Sequence, residues 1–86
     1  MDDDVIAVTI RTLDKSRQAE VRLPIDYTVE ELIEASRQNW RLPRDTDFML
    51  RCVRLGSQLP AQGALGPCGV QNGDLLEVVP LLEAGA

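Results

Sequence analysis

The residues best suited to chemistry stand at the end of this sequence, in the segment Glu83-Ala84-Gly85-Ala86. The segment follows a predicted strand over residues 75–82, in which Leu76 and Val78 alternate with Glu77 as in a half-buried strand. A packed strand that leads directly into small residues suggests that the final segment is itself used.

Side chains for acid–base, metal or redox chemistry are scarce. There is no histidine, which removes the commonest general base and the commonest metal ligand. Cys52 and Cys68 form no CxxC pair, so we predict two reduced core thiols, with a disulfide as the alternative. The glycines at 63 and 66 lack the lysine of a phosphate-binding loop. We therefore predict a chain that is not an enzyme and has no catalytic residue, cofactor or metal site.

Length and charge limit the partners. The 86 residues suffice for one small domain, which we divide into a folded part over 1–82 and a flexible tail over 83–86. A net charge of −5 leaves no basic excess for phosphates, so nucleic acid is not expected as a partner. The acidic start, Asp2 to Asp4, is unlike a signal peptide, and no apolar run approaches the roughly 20 residues of a membrane span. We expect a cytoplasmic location without membrane insertion.

Alternating apolar residues predict a hairpin at the start of the chain. Its strands cover Val5 to Arg11 and Ala19 to Leu23, with a polar turn between them. A capping box formed by Thr28 and Glu31 predicts a helix over about residues 29–39, which Leu42-Pro43 ends.

The second half of the chain predicts strands only. One covers residues 47–54, a short one lies around 58–59, and the last is interrupted by Pro80. The turn Asn72-Gly73-Asp74 feeds the last strand. The expected fold is α+β, with one α-helix packed across a mixed sheet of four to five strands.

Four stretches, taken in order and spacing, resemble the ubiquitin-like β-grasp family. They are residues 6–13 (IAVTIRTL), 23–33 (LPIDYTVEELI), 53–59 (VRLGSQL) and 68–77, which carries Cys-Gly-Val, Asn-Gly-Asp and Leu-Glu. Within that family the chain is most similar to the bacterial YukD-like branch. The resemblance covers nearly the whole chain and implies a ubiquitin-like β-grasp fold.

The resemblance also implies a protein modifier. Ala84-Gly85 falls on the terminal Gly-Gly of ubiquitin, and Ala86 is one residue more, as in precursors that a peptidase trims. The implied partners are an E1-like activating enzyme, an E2-like carrier and a JAB-type metallopeptidase. The chain departs from ubiquitin in having Ala-Gly for Gly-Gly and Leu81-Leu82-Glu83 where ubiquitin is basic. A sulfur-carrier role is a variant of this hypothesis.

Two further features accompany the modifier hypothesis. Leu13, Val53 and Val79 match the exposed hydrophobic patch of ubiquitin, and Met49 extends it; scattered surface residues are the alternative interpretation. Lys15 is the single lysine, so it would be the one side-chain amine that could accept another modifier.

The alternative function is a YukD-like accessory subunit of type VII secretion, which is not conjugated. Arginines in the middle of the chain could then dock an acidic partner, although two of them also suit a helix C-terminus. The arginines of this predicted cluster are Arg37, Arg41, Arg44 and Arg51, and Arg54 lies in the same part of the chain.

Overall fold

The computed structural model describes residues 4–81. Its elements are β1 (Val5–Thr12), β2 (Gln18–Pro24), α1 (Val29–Trp40), β3 (Asp47–Cys52), β4 (Ser57–Leu59) and β5 (Leu75–Leu81). The strands form one five-stranded sheet in the order β2-β1-β5-β3-β4. β1 and β5 run parallel and the other neighbouring strands are antiparallel. The predicted mixed sheet with one helix is therefore confirmed.

The core lies between the helix and one face of the sheet. Alternate residues of β1, β3 and β5 point to that face, as the period of a strand requires. The helix contributes Val29, Leu32 and Ile33, spaced at three and four residues along one side. The buried apolar residues of the strands are Ile6, Val8, Ile10, Leu50, Cys52, Leu59, Leu76 and Val78.

The helix begins where the sequence predicts. The Thr28 side chain accepts a hydrogen bond from the Glu31 amide, and the Glu31 carboxylate accepts one from the Thr28 amide, which completes the capping box. The next amides are satisfied by the loop that follows β4: Val29 N–H donates to the Gly63 carbonyl at 2.9 Å. This loop therefore fixes the position of the helix on the sheet.

The same loop approaches the chain closely at two glycines. A Cβ at Gly63 would lie 2.6 Å from Cys68 Sγ, and one at Gly66 would lie 2.9 Å from Ile25 Cβ. Between them Leu65 is fully buried and donates its amide hydrogen to the Tyr27 carbonyl. Glycine is required at both positions because no side chain fits there.

The helix ends one residue beyond the predicted position, through a left-handed residue that the sequence analysis did not predict. It runs to Trp40, and Arg41 follows in the left-handed region at φ 53°, with its amide donating to the Arg37 carbonyl. Glycine usually holds this capping position, because it carries no Cβ penalty there. Left-handed backbone at Arg41, one residue before Leu42-Pro43, therefore ends the helix.

The sequence analysis expected Pro80 to interrupt the last strand, but it does not. β5 continues through Pro80, which lies opposite Phe48 of β3, to Leu81. The Val78 carbonyl accepts from Leu13 on the β1 side, and Pro80, two residues on, turns its nitrogen to the same side. β1 ends at Thr12, so the missing amide hydrogen costs no sheet bond.

Candidate protein-interaction surface

The face of the sheet opposite the helix carries two of the predicted patch residues, Met49 and Val79. Thr9 and Arg11 of β1, Met49 and Arg51 of β3, and Glu77 of β5 alternate with buried core residues, so their side chains point to this outer face. The strand register aligns them in rows that run across the sheet.

The middle row is ionic. Glu77 lies beside Arg11 of β1 and opposite Arg51 of β3. Arg11 donates from Nε and Nη2 to Glu77 Oε2 at 3.1 and 2.7 Å, and Arg51 Nη2 lies 3.4 Å from Glu77 Oε1. The two arginines leave Glu77 only 4% exposed. Its carboxylate is thus committed to holding three strands together.

An apolar cluster lies on the side of this row nearer the C-terminal end of β5. Met49 and Val79 are direct cross-strand partners and are half-buried. Leu13, 48% exposed, donates its amide hydrogen to Val78, which places it beside Val79 at the end of β1. Three of the four predicted patch residues therefore come together, and we call Leu13, Met49 and Val79 the apolar cluster.

Val53 does not join the apolar cluster. It is 40% exposed, as predicted, but it follows the end of β3 and donates its amide hydrogen to Leu75. Along β3, Arg51 stands between Met49 and Val53, so the ionic row separates the two apolar side chains. The order of Met49, Arg51 and Val53 on one face follows from alternation along the chain, whereas the register of β3 against β5 places Val79 beside Met49 and Glu77 beside Arg51.

A second ionic cluster anchors the turn that leads into β5. The buried Asp74 carboxylate accepts hydrogen bonds from Arg54 Nε at 2.7 Å, Arg54 Nη2 at 3.0 Å and the Gln71 amide at 2.8 Å. The hydrogen bond from Arg54 holds the pKa of Asp74 below its usual value. The Cys52 thiol lies 3.7 Å from the same carboxylate.

Lys15 occupies the apex of the β1–β2 turn, in the left-handed region at φ 64°. The Asp14 carboxylate beside it accepts hydrogen bonds from the Ser16 amide and from the Thr12 and Ser16 hydroxyls. These bonds lower the pKa of Asp14 to about 2. Lys15 is exposed on a turn that its neighbours fix, as an acceptor amine would need to be.

The mid-chain arginines separate into two groups. Arg51 and Arg54 pair with Glu77 and Asp74, so Arg51 does not belong to one basic cluster with the helix-end arginines, which corrects that hypothesis. Arg37, Arg41 and Arg44 lie together at the C-terminal end of the helix. In the second group, the guanidinium groups of Arg41 and Arg44 form no ion pair within residues 4–81 and are available to a partner.

Several predictions concern residues outside the described part of the chain. The proposed conjugation residues Ala84, Gly85 and Ala86 lie beyond residue 81, as does the whole predicted tail over 83–86.

Within residues 4–81, no group of three His, Cys, Asp or Glu side chains could hold a metal ion. No helix in that range is long and apolar enough to cross a membrane. The two cysteines are free, with Cys52 buried and Cys68 half-buried.

Comparison with known proteins identifies the architecture. No family model and no curated protein matches the chain. Among solved structures, ubiquitin from Caldiarchaeum subterraneum superposes with a TM-score of 0.76 at 21% identity, over 94% of this chain and 99% of the other. The chain has a ubiquitin-like fold.

Two further structures support the same fold. The C-terminal ubiquitin-like domain of mouse tubulin-specific chaperone e gives a TM-score of 0.71 at 17% identity, over 96% of this chain and 93% of the other. Tubulin-binding cofactor B of Trypanosoma brucei gives 0.67 at 19% identity, over 93% and 99%. At such identities the likeness shows the fold.

Sequence reasoning missed the ionic row. Its signal was present, since Arg11, Arg51 and Glu77 each occupy an outward position of an alternating strand. The pairing of those strands was needed to bring the three side chains together.

Proposed function

We propose that this chain is a bacterial ubiquitin-like protein modifier of the YukD-like branch, conjugated through Gly85 after removal of Ala86. The observation that carries the proposal is the position of β5. This strand lies at the centre of a ubiquitin-like sheet, between β1 and β3, and leads towards the segment that contains Gly85.

The apolar cluster supports the proposal. Val79 belongs both to this cluster and to the final residues of β5, which precede the C-terminal segment. An enzyme that binds Leu13, Met49 and Val79 would therefore hold the domain close to the C-terminal end of β5. Exposed apolar groups on small domains serve such contacts.

The proposed chemistry uses the chain as a substrate. A JAB-type metallopeptidase hydrolyses the Gly85–Ala86 bond and exposes the Gly85 carboxylate. An E1-like enzyme joins that carboxylate to the α-phosphate of ATP and releases pyrophosphate. A thiol or hydroxyl of the E2-like carrier then displaces AMP, and a target amine displaces the carrier to form an isopeptide bond. The chain supplies no catalytic group, and ATP-dependent activation suits a cytoplasmic protein.

Glycine suits the reacting position because it lacks a side chain, so an extended segment can enter a narrow channel. Ala84 is the next smallest residue, whereas Leu81, Leu82 and Glu83 would need an apolar groove with a basic group in the activating enzyme. The enzyme that activates this chain should therefore differ from one that reads basic residues before the glycines.

The sequence offers a direct test in cells. Glu83 precedes Ala84-Gly85, so digestion with a glutamate-specific protease should leave an Ala-Gly remnant on each modified lysine. Mass spectrometry of native lysates should find this remnant, and a chain truncated after Glu83 should abolish it. An intact native chain that ends in Ala86, with no remnant on any lysine, would show that the proposal is wrong.

A test with purified proteins separates conjugation from folding. Removal of residues 84–86 should leave the melting temperature unchanged, because these residues follow β5, and should abolish adduct formation with the activating enzyme and ATP. Equal adduct formation by the full and truncated chains would contradict the assignment of Gly85.

A non-conjugated YukD-like accessory subunit of type VII secretion is the second candidate. Arg41 and Arg44, which form no ion pair within residues 4–81, favour it because they suit an acidic partner. Co-purification with a secretion ATPase and an unmodified native mass would support this candidate instead.

A further inference from the structure

An open groove of about 710 Å³ lies where the end of the helix, the β1–β2 turn and the ends of β3 and β5 meet. It lies at the edge of the core, on the helix side of the sheet. Its volume falls within the roughly 300–1,000 Å³ of typical binding pockets. Its apolar lining consists of Leu13, Trp40, Leu42, Pro43, Phe48, Val78 and Pro80.

The apolar wall of the groove is fixed by contacts within the chain. The Arg37 guanidinium carbon lies 5.7 Å from the centre of the Phe48 ring, and Arg37 Nη2 donates to the Thr46 carbonyl at 3.2 Å. Glu34 lies 3.7 Å from Arg37 Nη1. Arg37 is therefore used to hold the wall and is not free for a partner.

The rim of the groove is basic and open. Arg17 on one side and Arg41 on the other are exposed, and Arg44 extends the basic surface next to Arg41. Within residues 4–81, none of these three side chains forms an ion pair, in contrast to Arg11, Arg51 and Arg54. This rim belongs to a chain whose net charge is −5, so its charge is opposite to that of the whole molecule.

One acidic side chain, Asp14, also lies at the groove. Its oxygens already accept hydrogen bonds from Thr12 and Ser16, within the β1–β2 turn. Asp14 thus shapes the turn that presents Arg17, while the guanidinium groups of Arg17 and Arg41 remain available.

We propose that this groove binds an acidic segment of a partner protein, which inserts an apolar side chain between Trp40, Leu42 and Phe48 and places carboxylates against Arg17 and Arg41. The apolar lining of the groove would bury the inserted side chain, and the arginines would donate charge-assisted hydrogen bonds to the carboxylates. The charge of the rim favours an acidic segment over a basic one. The site is distinct from Gly85 and does not depend on conjugation.

Trp40 is the single tryptophan and lines the groove, so its fluorescence reports binding directly. The probe is the capped hexapeptide Asp-Glu-Phe-Leu-Glu-Asp, titrated into the full chain. We expect a saturable change in Trp40 emission that weakens as salt is added. Two control peptides, one with glycine for Phe and Leu and one with lysine for every acid, should bind at least tenfold more weakly.

The matched variants separate the groove from net charge. Arg17→Gln with Arg41→Asn removes two positive charges, and asparagine tolerates the left-handed backbone at 41. Ser57→Glu with Gln58→Glu changes the net charge equally at two exposed positions of the edge strand β4, which do not line the groove. The first variant should weaken peptide binding by roughly tenfold or more, and the second by less than about twofold.

Four results would overturn the proposal. They are no binding up to about 1 mM, equal weakening by both double variants, equal affinity for the lysine peptide, and equal affinity for a hexathymidine oligonucleotide. A fifth concerns the occupant: if removal of residues 82–86 shifts Trp40 emission and raises peptide affinity about tenfold, the chain's own C-terminal segment occupies the groove instead of a partner.

Discussion

The outer face of the sheet and the groove at the end of the helix both carry arginines, but they use them differently. On the outer face and at the adjoining turn, Arg11, Arg51 and Arg54 are paired with two buried carboxylates. At the groove, Arg17 and Arg41 have no such pairing among residues 4–81. Paired arginines hold strands together, whereas unpaired ones are available to another molecule. Stability measurements should therefore distinguish the two regions.

The largest effect on stability should come from the ionic row. Glu77→Ala leaves Arg11 and Arg51 without their partner at a site that is 4% exposed. We expect a loss of about 2 kcal/mol in unfolding free energy, below the roughly 3–5 kcal/mol of a fully buried pair because both arginines reach solvent. Urea denaturation measures it. Arg17→Ala, the control at the groove, should change stability by less than about 0.5 kcal/mol; equal losses would remove the distinction between the regions.

The second effect concerns Asp74 and its dependence on pH. Arg54 lowers the pKa of Asp74 in the folded state, so this interaction stabilises the fold above the unfolded pKa of about 3.9 and is lost as the pH falls through the lower folded pKa. Asp74→Asn should cost about 1–3 kcal/mol at pH 7 and flatten the decline of stability in acid. Thermal denaturation from pH 7 to pH 2 tests this. An unchanged acid profile would show that Asp74 is not responsible.

The third effect is on binding through the outer face. Met49→Arg places a charge within the apolar cluster and should weaken binding to the proposed activating enzyme by about tenfold, with little change in melting temperature. Val53→Arg is the matched control, because Val53 lies beyond the ionic row and should weaken binding less. Surface plasmon resonance with both variants tests the boundary. A larger effect of Val53→Arg would place the interaction surface on the other side of Arg51.

The smallest effect should have the opposite sign. Arg41 occupies a left-handed position where glycine is preferred, so Arg41→Gly should raise the unfolding free energy by about 0.5 kcal/mol after a small loss of favourable interaction with the helix dipole. Chemical denaturation detects it, with Arg44→Gly as the control outside the left-handed region. A loss of stability on Arg41→Gly would mean that this arginine is part of the fold, as those of the outer face are.

Local chemistry explains which parts of the fold could be predicted. Thr28 and Glu31 interact across three residues, so the start of the helix follows from neighbouring positions alone. The turn before β5 also follows from local sequence, because Gly73 adopts a φ of 88°, which glycine allows without a steric penalty. The sequence pattern does not show the left-handed end of the helix at Arg41, because arginine is not a usual left-handed residue.

The candidate site was predicted in part for the same reason. Alternation showed that Leu13, Met49 and Val53 point away from the core, since the period of a strand is a local property. Alternation does not give the register between strands that are distant in sequence. That register brought Met49 to Val79 and Arg51 to Glu77.

The sequence by itself determined the order of the elements, the face of each strand that enters the core and the start of the helix, because these depend on side-chain period and on contacts within a few residues. The tertiary structure decided the strand register, the pairing of Glu77 and Asp74 with arginines, and the groove around Trp40, because each depends on groups brought together from distant parts of the chain. Strand pairing therefore separates arginines that stabilise the fold from arginines that can bind a partner, and composition gives no sign of that division.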